Sequence, residues 1–314
     1  MIYFRGAMKT IPPFLQPGDV IGICAPARKV SSDEMKDGIN WLGSKGFKVK
    51  ESQHLYGQNN QFSGTDEERT SDLQSLINYT EVKAIFFARG GYGCARIIDR
   101  IDFSPLEKHP KWLVGFSDMT VIHSHINAHH GVGTLHAPMM INLLQEKRND
   151  EAANAIIDIL TGKNIRYSEK NLNSLNRNGV CEGEFVGGNL SLLYALAGTP
   201  SDISTDGKIL FIEDLDEYLY HIDRMIMQLK RAGKLTHLKG LVVGGMSDMR
   251  DNAIPFGKSA IEIIAEAVAE YDYPVCFDFP SGHIDRNLPM VLGADVRLEV
   301  GNEVTLTFLY DAAY

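Results

Sequence analysis

The chain has 314 residues, 44% hydrophobic and 23% charged, with a formal net charge of −9, the balance of a globular protein long enough for two domains and a sizeable core. An acidic chain without a Lys/Arg run lacks the basic face that phosphate backbones demand, which excludes nucleic acid as the main partner. No stretch approaches ~18 apolar residues and MIYFRGAMKTIPPF has no signal-length apolar core, so no membrane contact is expected; residues ahead of Met8 read as a start-site extension or a frayed tail.

The first half alternates short apolar runs with amphipathic segments. DVIGICAPA (19–27) reads as a strand, the stretch after Ser31-Ser32 as a capped helix to about Ser44, and FKVKES (47–52) as a second strand. Thr65 and Glu68 have the spacing of a capping box opening a helix with Leu73, Leu76 and Ile77 on one face. AIFFA (84–88) is a strand, RGGYG a glycine turn and CARIIDRI helical; WLVGF (112–116) is a strand with DMTVIHSHINAHH as the helix behind it. Strands separated by helices imply an α/β fold, a parallel sheet with helices on both faces. Ligands of such sheets bind at the carboxyl ends of strands where the strand order reverses, which selects the loops at 25–28, 88–93 and 115–118.

After a polar helix near 149–162, an Asn- and Lys-rich segment of little periodicity reads as a linker, residues 166–180, dividing a first domain (1–165) from a second (181–314). EGEFVGG, the helix NLSLLYALAG, the strand KILFIED (208–214), the helix YHIDRMIMQLKRAGKL and the strand LKGLVVGG follow. A further helix and strands near VCFDF and VRLEVGNEVTLTF close the chain, the last pair as a hairpin around Gly301-Asn302.

Ser117, in GFSD, follows a buried strand at once. The ordinary reading is a helix N-cap, but Asp118 could cap the same helix, and Gly115 would relieve a sharp turn. The arrangement resembles a G-x-S-x-G elbow with Met119 in place of the last glycine. A serine needs a base and the base an orienting acid. His283, in FPSGHIDRN past the VCFDF strand, is the best-placed base among ten histidines. Glu213, ending ILFIE, needs pairing where it lies, whereas Asp214, Asp216 and Glu217 read as solvated or capping. Gly91 of RGGYG and the N–H of Asp118 could form an oxyanion hole; a phosphate cradle is the weaker reading, because no P-loop lysine follows. His125 and His129 lie one helical turn apart without the acidic ligands of a metal site; the cysteines at 24, 94, 181 and 276 form no C-x-x-C pair, and three of them, in GICAPA, GYGCAR and PVCFDF, suit reduced core thiols of a cytoplasmic protein.

In combination and order, LQPGDVIGICAPA, FFARGGYG, VGFSDMT, FVGGNLSLL, ILFIEDLDEYLYHIDRM and FPSGHIDRN resemble the LD-carboxypeptidase family of serine peptidases, which includes murein tetrapeptide carboxypeptidases and microcin C immunity peptidases. The family's own pattern is GFSD. The resemblance implies an N-terminal flavodoxin-like domain, a C-terminal swivelling β/β/α domain and a homodimer without cofactor or metal. It places the nucleophile on Ser117, the acid on Glu213, the base on His283 and the oxyanion donors on Gly91 and Asp118. It further implies cleavage of the bond before the terminal D-alanine of L-Ala-γ-D-Glu-meso-diaminopimelate-D-Ala, with a peptidyl-nucleotide as the alternative substrate; outside the family, the alternative is a non-catalytic ligand-binding module on a flavodoxin-like sheet. An exopeptidase must read a terminal carboxylate; Arg89 and Arg286 are the candidates, against an equally ordinary reading as structural ion pairs.

Overall fold

The computed structural model describes residues 10–146 and 148–310, so the segment ahead of Met8 lies outside the described residues. The first half forms β1 (Val20–Cys24), α1 (Ser32–Ser44), β2 (Lys48–Glu51), α2 (Asp66–Asn78), β3 (Val82–Phe87), α3 (Cys94–Ile97), α4 (Pro105–Lys108), β4 (Trp112–Gly115), α5 (Thr120–His129), β5 (Thr134–His136) and α6 (Asp150–Leu160). Reciprocal capping boxes open α1 (Ser31 with Glu34) and α2 (Thr65 with Glu68). The parallel order β2-β1-β3-β4-β5 is flavodoxin-like, and its reversal between β1 and β3 makes the crevice at their carboxyl ends the natural ligand position.

The second half forms β6 (Arg166–Lys170), β7 (Gly179–Asn189), α7 (Leu190–Leu196), β8 (Ile209–Leu215), α8 (Leu219–Arg231), β9 (Gly240–Ser247), α9 (Ala260–Ala267), β10 (Val275–Cys276), β11 (Met290–Leu292), β12 (Asp295–Val300) and β13 (Glu303–Leu309). Its sheet runs β10-β9-β8-β7-β12-β13-β6. The long β7 joins two regimes: Gly179–Glu184 pair antiparallel with β12, and Phe185–Asn189 pair parallel with β8. The expected hairpin closes β12 on β13.

Two features depart from the sequence reading. Residues 166–170, expected within a linker at 166–180, form β6, an edge strand on β13. Only Tyr167 of this strand is buried, its hydroxyl donating to the Pro289 carbonyl at 2.8 Å, so a polar edge strand showed no apolar run. Meanwhile β11, from the second half, pairs antiparallel with β5 and extends the first sheet. One hydrophobic cluster accordingly runs from Ile21 and Phe86 through Phe185 and Phe211 to Phe308. At roughly 1.5–3 kcal/mol per buried large side chain, this shared core fastens the domains along their seam.

Candidate active site

The buried strand β4 leads through extended Phe116 into Ser117, which has φ 64°. A non-glycine residue in the left-handed region costs about 1–2 kcal/mol. No capping bond offsets that cost, because neither the 117–119 turn nor α5 has a side-chain cap and the hydroxyl has no hydrogen-bond partner among the described residues. The N-cap reading therefore fails, and the turn presents a free hydroxyl. Close approach demands glycine on both sides: a Cβ on Gly115 would lie 2.9 Å from Phe87, and one on Gly90 2.9 Å from the Ser117 Cβ.

The serine turn is tethered to the glycine turn. Asp118 Oδ2 accepts the Cys94 N–H at 2.8 Å, and burial holds this carboxyl above its ordinary range although the backbone bond opposes the shift. Gly91 has φ 109°, and its N–H has no backbone acceptor among the described residues. Buried Arg69 braces the same loop, donating to the carbonyls of Pro26 and Gly93 while pairing with Asp66.

From the second domain, β8 supplies Glu213, fully buried, where its pairing with β9 shifts register, and the 280s loop supplies His283. Glu213 Oε2 accepts from His283 Nδ1 at 2.7 Å and from the His283 backbone N–H at 3.1 Å. Two glycines permit the approach: a Cβ on Gly282 (φ 106°) would stand 2.7 Å from the Glu213 Cβ, and one on Gly244 3.3 Å. The loop is pinned by Gly282 N–H on Asn287 at 2.8 Å and by Ser247 Oγ on the His283 carbonyl at 2.7 Å. Burial pulls the His283 pKa down, but the Glu213 charge and hydrogen bond outweigh it and leave it raised; burial lifts that of Glu213, and His283 reverses this to leave it lowered. Substituting Gly282→Ala is expected to cost about 1–3 kcal/mol from strain at positive φ and to displace His283; thermal unfolding and a histidine NMR titration measure both.

The two halves meet through Phe116. Its ring lies 4.7 Å, centroid to centroid, from the His283 imidazole, which sets that imidazole beside the serine turn. No hydrogen bond joins Ser117 to His283 among the described residues. Behind the pair, Asp214 is buried rather than solvated: it accepts from Asn189 Nδ2 at 2.9 Å and, capping the first turn of α7, from the Ser191 N–H at 2.8 Å, and burial beside Glu213 pushes its pKa up to about 7. The Asn189 N–H in turn donates to Thr120 Oγ1 at 3.0 Å, clipping β7 to α5. Asn189, closing F-V-G-G-N at a strand end, was the available signal.

Next to this centre opens a cleft of about 510 Å³ lined by Phe116, Asn142, Arg148, Ile284 and Asn287 among others. Arg286 does not enter it as a free cation: it holds Glu151 by two bonds of 2.7 and 2.8 Å and Glu169 at 2.8 Å, tying α6 to β6. Of the two readings of Arg286, these contacts favour the structural ion pair. Arg89 is partly exposed and pairs with Glu34 at 3.3 Å. His125 and His129 face the second domain, bonded to Ser201 Oγ at 2.9 Å and the Pro200 carbonyl at 2.6 Å.

A flavodoxin-like lobe and a mixed-sheet lobe thus meet at a seam where an acid–imidazole pair stands against a strained serine turn. Residues 21–137 match the LD-carboxypeptidase N-terminal domain and residues 182–298 the LD-carboxypeptidase C-terminal domain. A probable murein peptide carboxypeptidase of Bacillus subtilis is 34% identical over 94% of this chain and 93% of its own. The microcin C7 self-immunity protein MccF of Escherichia coli is 26% identical over 94% and 95%. The crystal structure of muramoyltetrapeptide carboxypeptidase from Oxalobacter formigenes superposes with a TM-score of 0.85 at 27% identity, covering 94% of this chain and all of that one. The chain belongs to the LD-carboxypeptidase family.

Proposed function

We propose that this protein is a serine carboxypeptidase that hydrolyses the L,D-peptide bond before the terminal D-alanine of murein tetrapeptide. The observation that carries the proposal is the Glu213–His283 pair, 2.7 Å long with its carboxylate fully buried, held against Phe116 beside a serine turn whose hydroxyl is free. Ser117 Oγ attacks the scissile carbonyl while His283 Nε2 takes its proton, and Glu213 fixes the ring through Nδ1. The N–H groups of Gly91 and Asp118 receive the oxyanion. His283 returns the proton to the departing D-alanine amine, and water, deprotonated by the same imidazole, releases the acyl group from Ser117. Bonds between a catalytic serine and its base commonly tighten only with substrate in place, so the relay closes as the peptide enters the cleft.

The names of the B. subtilis and O. formigenes relatives support a murein peptide as substrate. Neither tryptophan offers a nucleobase an exposed plane to stack on: Trp41 and Trp112 are buried, the latter donating to the Pro13 carbonyl. Free cysteines, three of them buried, support a cytoplasmic setting, and we take the protein to act as a homodimer, which sedimentation would check. Incubating the protein with murein tetrapeptide and with a peptidyl-adenylate analogue, and following released D-alanine by mass, tests the assignment. D-alanine from the tetrapeptide supports it; cleavage of the nucleotide analogue alone overturns it in favour of the immunity-type reaction.

Because Arg286 is occupied by two carboxylates, Arg286→Ala is expected to leave KM for the tetrapeptide within about twofold. Its partly exposed ion pairs contribute only about 0–1 kcal/mol each, so unfolding should shift slightly. A tenfold rise in KM would return Arg286 to carboxylate recognition.

A further inference from the structure

His136, the last residue of β5, lies between Gly115 of β4 and Met290 of β11. It is fully buried, and both of its ring nitrogens lack a hydrogen-bond partner. So does Oε1 of Glu213, the oxygen not used by His283. Buried polar atoms are nearly always paired, and an orphaned one costs about 1–3 kcal/mol; three in one neighbourhood need a common explanation. The ring of His136 stands edge-on to Phe211, 5.0 Å away at 85°, and 5.7 Å from Phe116. Phe211 and Glu213 share one side of β8, since a Cβ on Gly244 would touch both. Phe116 therefore sits between two imidazoles, His136 and His283, with Glu213 within the electrostatic reach of both.

We infer that His136 is a positioning residue: as a neutral imidazole it donates its ring N–H to a bridging water that donates in turn to Glu213 Oε1, and so fixes the carboxylate whose other oxygen orients His283. The reading rests on the assignment of Glu213 and His283 as acid and base. Burial lowers the His136 pKa to about 3 against the opposing Glu213 charge, so the ring keeps a single N–H throughout the working pH range. The titratable groups acting on it are Glu213 from β8, His123 from α5 and His283 from the 280s loop; Asp214 acts on His283 in turn.

Two variants of similar volume separate donation from packing: His136→Gln keeps an N–H donor, and His136→Met has none. The first measurement is the NMR titration of His283, which needs no substrate. With Met at 136 the Glu213 charge concentrates on the oxygen facing His283, and the His283 midpoint is expected to rise by about half a unit to one unit. With Gln it should remain within about 0.3 unit of the parent. On tetrapeptide, His136→Met should lower kcat about 10- to 100-fold with KM nearly unchanged, and His136→Gln should recover most of it. Equal behaviour of the two variants, or a His283 midpoint that stays or falls with Met, overturns the inference. Should the Met variant not fold, the His136 ring resonances of the parent protein are compared with those of Glu213→Gln; no movement there likewise overturns it. Absence of D-alanine release with the predicted His283 shift would instead count against the peptidase assignment and leave the coupling standing.

Discussion

Ser117→Ala is expected to abolish D-alanine release, by at least about 10³-fold and up to ~10⁶-fold if the serine is the covalent nucleophile, while leaving the fold and its stability unchanged. The stability half of that expectation is as diagnostic as the activity half. An N-cap serine replaced by alanine costs about 1 kcal/mol, but the Ser117 hydroxyl caps nothing, so its removal should be neutral in denaturant unfolding. Ser117→Gly goes further. With φ at 64°, glycine removes a left-handed penalty of about 1–2 kcal/mol, partly cancelled by its greater freedom in the unfolded chain. The glycine variant should be inactive and more stable than the alanine variant by about 0.5–1 kcal/mol, the pattern of a position held in strain for its chemistry. Retention of more than about a hundredth of parental turnover by either variant would refute covalent catalysis through this residue.

What could be read from the chain follows where the physics is local. Ser117, Glu213 and His283 each interrupt an apolar run or a glycine-bearing loop at a strand end, so a polar residue in an awkward place announces itself. Thr65 with Glu68, and Gly301-Asn302 between alternating strands, are likewise short-range signals, and the cap and the hairpin form where they indicate. β6 was hidden because R-Y-S-E-K buries little. β11 was hidden because its partner, β5, lies more than 150 positions earlier, and no local pattern encodes so distant a pairing. His136 was hidden for a related reason: within T-L-H it looks like one crowded histidine among several, and only the convergence of both domains gives its neighbourhood meaning. Arg286 was open to two readings. Its place near the histidine motif suggested recognition, yet Glu151 and Glu169 reach it from α6 and β6, which only the tertiary structure brings there.

The pH dependence of activity and of stability should part company, because one pair governs both. His283 has a folded pKa above its ordinary 6.5, so its contribution to stability is complete below about 6.5 and is lost as the pH rises through the folded value. Glu213, below its ordinary 4.5, contributes above about 4.5 and loses that contribution as the pH falls through its folded value. The pair therefore stabilises most between about pH 4.5 and 6.5. General-base catalysis needs the neutral imidazole, so kcat/KM should instead climb through the raised His283 pKa and reach its plateau on the alkaline side, where the pair stabilises less. Glu213→Gln separates the causes. The amide preserves shape but removes the charge that opposes burial, so the His283 pKa should fall below 6.5 and the acid limb of kcat/KM should move down with it. The plateau should drop by up to ~10⁴-fold, as for loss of the orienting carboxylate in serine triads. His283→Ala leaves the converse defect, a carboxylate with no solvent contact and no cation. That state costs about 3–5 kcal/mol, and because protonation relieves it, the deficit should shrink as the pH drops toward 4.5. An acid limb that Glu213→Gln does not move, or a His283→Ala deficit that is flat with pH, would mean that the buried pair does not set the ionisation of the base.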